Sequence, residues 1–215
     1  MIYIVGGAPV RTEWLKSLQQ TEKATWIGVD NGALSIIKAE LTLDRAFGDF
    51  DSVSEKEFEL ISEKAQYIEK VKAEKNETDL ELALFWALKQ REPIRLVGAT
   101  GGRLDHFLGN IQLLTSEETG NHPYEVELQD EQNLLRILKA GEWEIADDPF
   151  YTYLSVLPFT PVVEGLTLKG VKYPLTDHYL KIGTTLTISN EIIEPFASIS
   201  FRFGIIMMVR SKDKE

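Results

Sequence analysis

Apolar runs and amphipathic segments alternate along the first half of the chain. Short apolar runs predict strands at residues 2–5, 26–29, 45–47, 67–71 and 94–97. Apolar residues at helical spacing predict helices at residues 13–20, 55–64, 79–89 and 104–115. Strands that are apolar throughout are typical of a sheet covered on both faces. The alternation therefore predicts an α/β domain with a mainly parallel, Rossmann-like sheet.

Two of the predicted helices begin with a capping box. Ser54 is followed three residues later by Glu57, and Thr78 is followed by Glu81. In this motif the hydroxyl accepts a hydrogen bond from a backbone N–H of the first turn, and the glutamate accepts one from the cap residue. The motif predicts helix starts at residues 55 and 79.

The pattern changes after residue 122. Short segments rich in β-branched and aromatic residues predict strands at 125–128, 134–138, 143–145, 151–157, 166–168, 186–188, 197–202 and 205–209. Turn signals such as Ala140-Gly141 separate them, and short strands of this kind predict a β-sandwich or barrel. We therefore predict two domains, an α/β domain at residues 1–122 and a β-sandwich domain at residues 123–215, with the boundary placed to within about ten residues.

The composition excludes several kinds of site. The 215 residues include no cysteine, which rules out disulfides, thiolate metal ligands and cysteine nucleophiles and fits a cytoplasmic protein. The chain has no run of about 18 apolar residues, so we expect no membrane-spanning helix. The formal net charge of −11 repels polyanions, so we do not expect a nucleic-acid partner.

Aspartates occur in several motifs of the first half. Asp49 and Asp51 lie in GDFDS at the end of a predicted strand, Asp79 lies in NETDLELAL, and Asp105 lies in GATGGRLDHFLGN. Mg²⁺ is usually held by one or two carboxylates together with phosphate oxygens and water. The motifs together therefore indicate a Mg²⁺–phosphate site. Taken singly, GDFDS is also explained by turn chemistry, and Asp79 by the favourable field at a helix N-terminus.

The segment GATGGRLDHFLGN at residues 98–110 is the most specific motif. Its glycines follow a predicted strand and precede a predicted helix, an arrangement that brings backbone N–H groups close to a phosphate. Arg103 adds a planar donor fork suited to phosphate oxygens. The alternative is an ordinary strand–helix turn, since the segment matches neither the Walker A nor the dinucleotide pattern. His106 is either a general base or, as is more common, a structural residue.

These motifs resemble those of bacterial thiamin pyrophosphokinases (thiamin diphosphokinases). The resemblance covers nearly the whole chain. It rests on VDNGA at 29–33, GDFDS at 48–52, ETDLELAL at 77–84, GATGGRLDHFLGN at 98–110, LKGVKYPL at 168–175, TISNE at 187–191 and GIIMMVRSKD at 204–213.

The resemblance implies a reaction and a set of partners. Members of the family transfer the diphosphate of ATP to the hydroxyl of thiamine, giving thiamine diphosphate and AMP, and they use Mg²⁺. They combine an N-terminal α/β domain with a C-terminal β-sandwich. They are homodimers that bind thiamine in a cleft to which both subunits contribute. We therefore expect ATP, thiamine and Mg²⁺ as ligands and a second copy of the chain as partner.

By the same resemblance, each motif implies roles for its residues. The expected Mg²⁺ ligands are Asp49, Asp51 and Asp79. The expected catalytic residues are Arg103 and Asp105, with Asp105 near the ion or the attacking hydroxyl. The expected ATP-binding residues are Asp30, Gly32, Thr78, Gly98, Thr100, Gly101, Gly102 and Arg103. The expected thiamine contacts are Tyr173, Ser189 and Asn190.

Two other functions fit the same residues. The segment Asp49-Phe50-Asp51 has the Asp-x-Asp form of Mg²⁺-dependent phosphohydrolases, in which the first aspartate is the nucleophile. A nucleotide- or thiamine-sensing module without turnover is the third possibility. Release of AMP together with thiamine diphosphate distinguishes the kinase from both, because the hydrolase releases inorganic phosphate and the sensor releases nothing.

Overall fold

Two structural units divide the chain between Glu131 and Gln132 in the computed structural model, which describes residues 1–19, 24–70 and 76–214. The predicted helix end at Gln20 and the predicted strand end at Val71 lie outside these described ranges. Within them, no helix is long and apolar enough to cross a membrane.

The first unit alternates strands and helices, as the apolar pattern predicts. Its elements are β1 (Ile2–Val5), α1 (Thr12–Ser17), β2 (Thr25–Val29), α2 (Asn31–Lys38), β3 (Arg45–Gly48), α3 (Glu55–Lys64), β4 (Tyr67–Lys70), α4 (Asp79–Leu88), β5 (Ile94–Val97), α5 (Leu104–Leu114), α6 (Glu117–Gly120) and β6 (Val126–Gln129).

The strands of the first unit form a sheet in the order β6-β5-β1-β2-β3-β4, and every one of these neighbouring pairs is parallel. The chain runs outward from β1 in both directions, first through β2, β3 and β4 and later through β5 and β6. Such a reversal of strand order is where doubly wound sheets bind ligands, beyond the carboxyl ends of their strands.

Helix α4 is fixed on the sheet by aromatic contacts. The ring of Trp86 lies 6.5 Å from the ring of Phe47 on β3, and the guanidinium of Arg45 lies 4.4 Å from the Trp86 ring. Leu84 and Ala87 of the same helix are fully buried. These contacts fix the second half of α4 against β3.

Both predicted capping boxes are confirmed, and two of the described helices, α2 and the short α6, were not predicted. Ser54 and Thr78 each accept a hydrogen bond from the third residue of their helices, whose glutamate side chains bond back. Helix α2 was missed because Asn31 and Gly32, which usually mark a turn, are its first two residues. The buried residues Leu34 and Ile36 were the available signal.

The second unit is antiparallel. Its strands are β7 (Asn133–Ala146), β8 (Tyr153–Pro158), β9 (Val162–Lys169), β10 (Leu175–Lys181) and β11 (Phe196–Ser211). They pair in the order β10-β9-β11-β7, and β8 pairs with the second half of β11. The whole fold is therefore a mixed α/β one.

Two glycines lie in the long strands where breaks were predicted, at a register irregularity of the kind that bends a strand. The register of β11 against β7 shifts between Phe201 and Ile205, around Gly204 at φ +99°, and Phe201 lies opposite Gly141. The segments predicted at 134–138 and 143–145 are therefore one strand, as are those at 197–202 and 205–209. The strand predicted at residues 186–188 is absent from the structure. Strand β10 is present but was not predicted.

Residues from both halves of these bent strands share one buried cluster. It includes Ile199 and Phe201 before the bend and Ile206 and Met208 after it. A sheet that bends over a single core in this way is compatible with the predicted β-sandwich, whose two-layer layout stays a prediction.

The first unit ends at Glu131, within about ten residues of the boundary predicted near residue 122. Strand β6 pairs in parallel with β5 and therefore belongs to the first unit, which extends to Glu131. In sequence, β6 looks like the short strands that follow it. Its parallel partner is 32 residues away, at the Ile94–Val126 pair, so the local pattern does not show to which unit β6 belongs. The difference matters for function, because it places Asp130 at the same sheet edge as the phosphate motifs.

Candidate active site

Three aspartates converge at the carboxyl edge of the parallel sheet. Asp30 follows β2, Asp49 follows the neighbouring strand β3, and Asp79 is the first residue of α4. One carboxylate oxygen from each lies within 4.8 Å of the other two. We call this group the acidic trio. All three residues are partly buried, so their charges are only partly screened by water.

Two non-glycine residues at the trio, Asp30 and Phe50, have a positive φ. Asp30 has φ +47° and is the N-cap of α2, and Phe50 has φ +59°. The buried Phe50 ring packs 5.1 Å from the ring of Phe58, and its backbone N–H donates to Oδ1 of Asp30 over 3.4 Å. Left-handed backbone at non-glycine residues is typical of functional sites. The GDFDS loop therefore holds Asp30 as well as carrying Asp49.

The pKa of Asp30 is raised from 3.8 to about 6. Burial is the main cause, because it disfavours the charged carboxylate, and the charge of Asp79 is the next. The Phe50 N–H lowers the pKa, whereas the charges of Asp49 and Asp51 raise it slightly. The neighbouring carboxylates repel one another and so contribute to this raised pKa. A divalent cation bound between them would relieve that repulsion.

Asp51 does not belong to the trio. Its side chain is exposed, and its backbone N–H donates to Oδ1 of Asp49 over 3.1 Å. Of the three predicted metal ligands, the structure brings together Asp49 and Asp79, and it adds Asp30, which was predicted to bind ATP. Sequence reasoning missed this grouping because it depends on the pairing of β2 with β3, which the motifs alone do not reveal.

The glycine loop at residues 98–103 lies against the loop that follows β1. The N–H of Ala8 donates to the carbonyl of Gly98 over 3.0 Å. Gly98 has φ +59°, and a β-carbon there would lie 2.7 Å from the carbonyl oxygen of Gly6, so no larger residue fits. Gly101 and Gly102 are exposed at the approach to α5. The predicted strand–glycine–helix arrangement is thus present at the reversal of strand order.

Two side chains that were not predicted hold the glycine loop. The hydroxyl of Thr100 donates to Oδ2 of Asp130 over 2.8 Å, and Nδ2 of Asn110 donates to the carbonyl of Ala99 over 2.9 Å. Asp130 was missed because β6 was assigned to the second domain, which hid the position of its carboxyl end. The final Gly-Asn of the motif was the signal for Asn110.

Arg103 and Asp105 form a two-point ion pair at the start of α5. Nε of Arg103 donates to Oδ1 of Asp105 over 3.1 Å, and NH2 donates to Oδ2 over 2.6 Å. These donors lower the pKa of Asp105 to about 2. Both side chains are exposed, as is His106, whose backbone N–H also binds Asp105. In this state Asp105 is a weak base.

The other predicted ATP-binding residues lie at the same edge. Thr78 caps α4 immediately before Asp79, and its hydroxyl accepts from the N–H of Glu81. Gly32 is buried in the first turn of α2, two residues after Asp30. Thr78 therefore has a structural role beside the trio, and its contact with ATP stays a prediction.

The predicted thiamine contacts lie in the second unit. Tyr173 is exposed over 61% of its surface, and Ser189 is exposed with φ +57°. Asn190 is buried, at 4% exposure, and its side chain bonds to the backbone of Tyr173. The structure thus brings these three residues together in one part of the second unit.

Comparisons with known proteins also divide the chain into two domains. The model of the catalytic domain of thiamin pyrophosphokinase matches residues 16–124, and the model of its vitamin B1 binding domain matches residues 142–206. A curated relative, the thiamine pyrophosphokinase of Bacillus subtilis (strain 168), is 43% identical over 213 residues, which are 99% of this chain and 99% of the relative. The chain belongs to the thiamin pyrophosphokinase family.

Solved structures of thiamin pyrophosphokinases have the same fold. The crystal structure of the Bacillus subtilis enzyme superposes with a TM-score of 0.89 at 40% identity, covering 99% of both chains. That of the Geobacillus thermodenitrificans enzyme gives a TM-score of 0.86 at 38% identity, covering 100% of this chain and 98% of the other. The catalytic-domain match contains the acidic trio and the glycine loop, and the B1-binding match contains Tyr173, Ser189 and Asn190.

Proposed function

We propose that the chain is a thiamine diphosphokinase, which transfers the diphosphate of ATP to the hydroxyl of thiamine and releases AMP. The observation that carries this proposal is the 43% identity to the Bacillus subtilis thiamine pyrophosphokinase over 99% of both chains. The acidic trio and the glycine loop support it, because both lie at the carboxyl edge of one parallel sheet.

We propose Mg²⁺ as the cofactor, held by the acidic trio. Carboxylate oxygens are the ligands that Mg²⁺ prefers, and oxygens within 4.8 Å of one another can share one ion. The raised pKa of Asp30 points the same way, because a cation would relieve the repulsion that contributes to it. When bound, the ion would neutralise charge on the phosphate oxygens of ATP. Asp51 stays a predicted ligand.

We propose that the phosphates of ATP bind to the glycine loop. Gly101 and Gly102 are exposed just before α5, where their backbone N–H groups and the helix dipole would favour an anion. Arg103 would exchange its pairing with Asp105 for one with a phosphate oxygen, since both side chains are exposed to solvent. Asp130 and Asn110 would keep the loop in place while this happens.

The reaction requires one bond to form and one to break. The hydroxyl oxygen of thiamine attacks the β-phosphorus of ATP, the bond from that phosphorus to the bridging oxygen of the α-phosphate breaks, and AMP leaves. The hydroxyl proton is lost to water or to a protein base. Phosphoryl-type transfer depends mainly on positioning and on charge stabilisation, which the glycine loop and Arg103 would supply.

We propose that the second unit, as a β-sandwich, binds thiamine through Tyr173 and Ser189. The exposed Tyr173 ring offers a face on which the cationic thiazolium can stack. By resemblance to the family we also propose a cytoplasmic homodimer with its active site near the subunit interface.

The test is to incubate the protein with ATP, Mg²⁺ and thiamine and to measure AMP and thiamine diphosphate together. Equal amounts of both products, dependent on Mg²⁺ and on thiamine, are expected. Asp49→Asn serves as the matched inactive control. Release of inorganic phosphate without thiamine diphosphate would instead identify a hydrolase, and binding of thiamine without turnover would identify a sensing module.

A further inference from the structure

The side chain of Asn190 is almost wholly used in binding the backbone of its own unit. Its Oδ1 accepts from the N–H of Tyr173 over 3.0 Å and from the N–H of Glu191 over 2.9 Å. Its Nδ2 donates to the carbonyl of Tyr173 over 2.9 Å. Both lone pairs of the amide oxygen are therefore occupied, and the residue is only 4% exposed.

These bonds continue a short antiparallel ladder. Val171 pairs with Ile192, and the N–H of Lys172 donates to the carbonyl of Glu191 over 2.9 Å. One step further along, the Asn190 amide donates to Tyr173 and accepts from it, as a peptide group would in a strand pair. The side-chain amide thus replaces the backbone at the end of the ladder.

The backbone of Asn190 is fixed from the other side by β8. The N–H of Asn190 donates to the carbonyl of Leu154 over 3.1 Å, and the N–H of Leu154 donates to the carbonyl of Asn190 over 2.8 Å. Next to it, the N–H of Ser189 donates to the hydroxyl of the buried Ser155 over 3.0 Å. Asn190 therefore connects the Tyr173 segment to the interior strand that also holds Ser189.

We propose that Asn190 is a positioning residue, which sets the place of Tyr173 relative to Ser189 and makes no direct contact with thiamine. The inference rests on the proposed function, in which Tyr173 and Ser189 bind thiamine. It differs from what the family resemblance implies, namely a contact from Asn190 itself. Tyr173 and Ser189 expose their side chains, whereas Asn190 uses its own to hold the backbone that carries the Tyr173 ring.

The first test separates thiamine binding from the remaining steps. Asn190→Ala should raise KM for thiamine roughly tenfold or more, the effect of losing about 1.4 kcal/mol of binding, while kcat and KM for ATP change little. The matched control is Thr160→Val. The hydroxyl of Thr160 likewise donates to one backbone carbonyl, that of Val162, and accepts from one N–H, that of Ile205. This control should lower stability without raising KM for thiamine.

The second test asks whether Asn190 acts through Tyr173. If it does, Asn190→Ala should add less than about a twofold rise in KM for thiamine once Tyr173→Ala is present, because coupled residues are not additive. Multiplication of the two single effects would show that Asn190 contacts thiamine independently, and it would overturn the proposal. A Tyr173→Ala variant with unchanged KM for thiamine would overturn it as well.

The third test does not depend on thiamine. Hydrogen exchange of the Tyr173 backbone amide, followed by mass spectrometry, should be faster in Asn190→Ala than in the wild type and unchanged in Thr160→Val. An unchanged exchange rate would show that the amide clamp does not hold this segment. A wild-type protein that forms no thiamine diphosphate would contradict the proposed function itself, whereas normal activity in Asn190→Ala would contradict this inference alone.

Discussion

A β-carbon on Gly48 would lie 2.0 Å from Oδ1 of Asp30. The carboxylate therefore occupies space that only a glycine leaves open at the end of β3, where Gly48 has φ +152°. This contact couples the GDFDS loop to the residue after β2, two segments that are 18 residues apart in sequence but neighbours in the sheet. Asp30 can take up this position because Gly48 has no side chain.

Gly48→Ala should therefore displace Asp30 and lower turnover about 100-fold, because a shift of about 1 Å at a reacting centre has effects of this size. Turnover is measured over a range of Mg²⁺ concentrations, and circular dichroism checks that the fold is kept. Gly109→Ala is the control, since a β-carbon on this helical glycine meets no atom within 4 Å. Equal turnover in the two variants would show that the close contact with Asp30 is unimportant.

Asp30→Asn should stabilise the protein when metal is removed with EDTA. The pKa of Asp30 is about 6 in the folded state, against an ordinary value of 3.8 for the unfolded chain, so the folded state binds more protons between these values. Stability from Asp30 is thus fully present below pH 3.8 and is lost as pH rises through 6. After allowance for solvent screening of a partly exposed group, the difference is about 1–2 kcal/mol at pH 8.

The measurement is the free energy of unfolding of both proteins in EDTA at pH 4 and at pH 8. The advantage of Asp30→Asn should be present at pH 8 and should disappear at pH 4. Added Mg²⁺ should then raise the melting temperature of the wild type more than that of the variant. An identical pH dependence in the two proteins would contradict the raised pKa.

The sequence predicts well what depends on neighbours along the chain. The capping boxes at Ser54 and Thr78 are local hydrogen bonds, and both are present. The acidic trio and the Thr100–Asp130 bond depend on which strands pair, which local pattern does not encode. Gly141 shows a second limit of sequence-based prediction. A glycine can end a strand or lie within one, and Gly141, which was predicted to separate two strands, lies within β7.

Asp49→Asn and Asp79→Asn should lower turnover more than Asp51→Asn does. Oxygens of Asp49 and Asp79 converge with Asp30, whereas Asp51 is exposed and outside the trio. Loss of a direct carboxylate ligand should lower apparent Mg²⁺ affinity more than about tenfold, the size of effect that even outer-shell partners can reach. Apparent Mg²⁺ affinity is obtained from turnover and from thermal shift. A severe loss in Asp51→Asn, with Asp49→Asn and Asp79→Asn close to the wild type, would show that Asp51 holds the ion and that the trio does not.

Asp105→Asn should leave the acidic limb of the pH–rate profile unchanged. A general base works best with a pKa near the operating pH, whereas Arg103 lowers the pKa of Asp105 to about 2. Asparagine keeps one acceptor for Arg103, so we expect a loss of at most about tenfold, well below the 10²–10⁴-fold typical of removing a general base or acid. The profile is measured from pH 5 to 9 with ATP and thiamine saturating. Arg103→Ala tests the other partner of the ion pair. It should lower turnover more than Asp105→Asn does, because it removes a donor to phosphate. Loss of the acidic limb in Asp105→Asn would instead identify Asp105 as the base that accepts the hydroxyl proton.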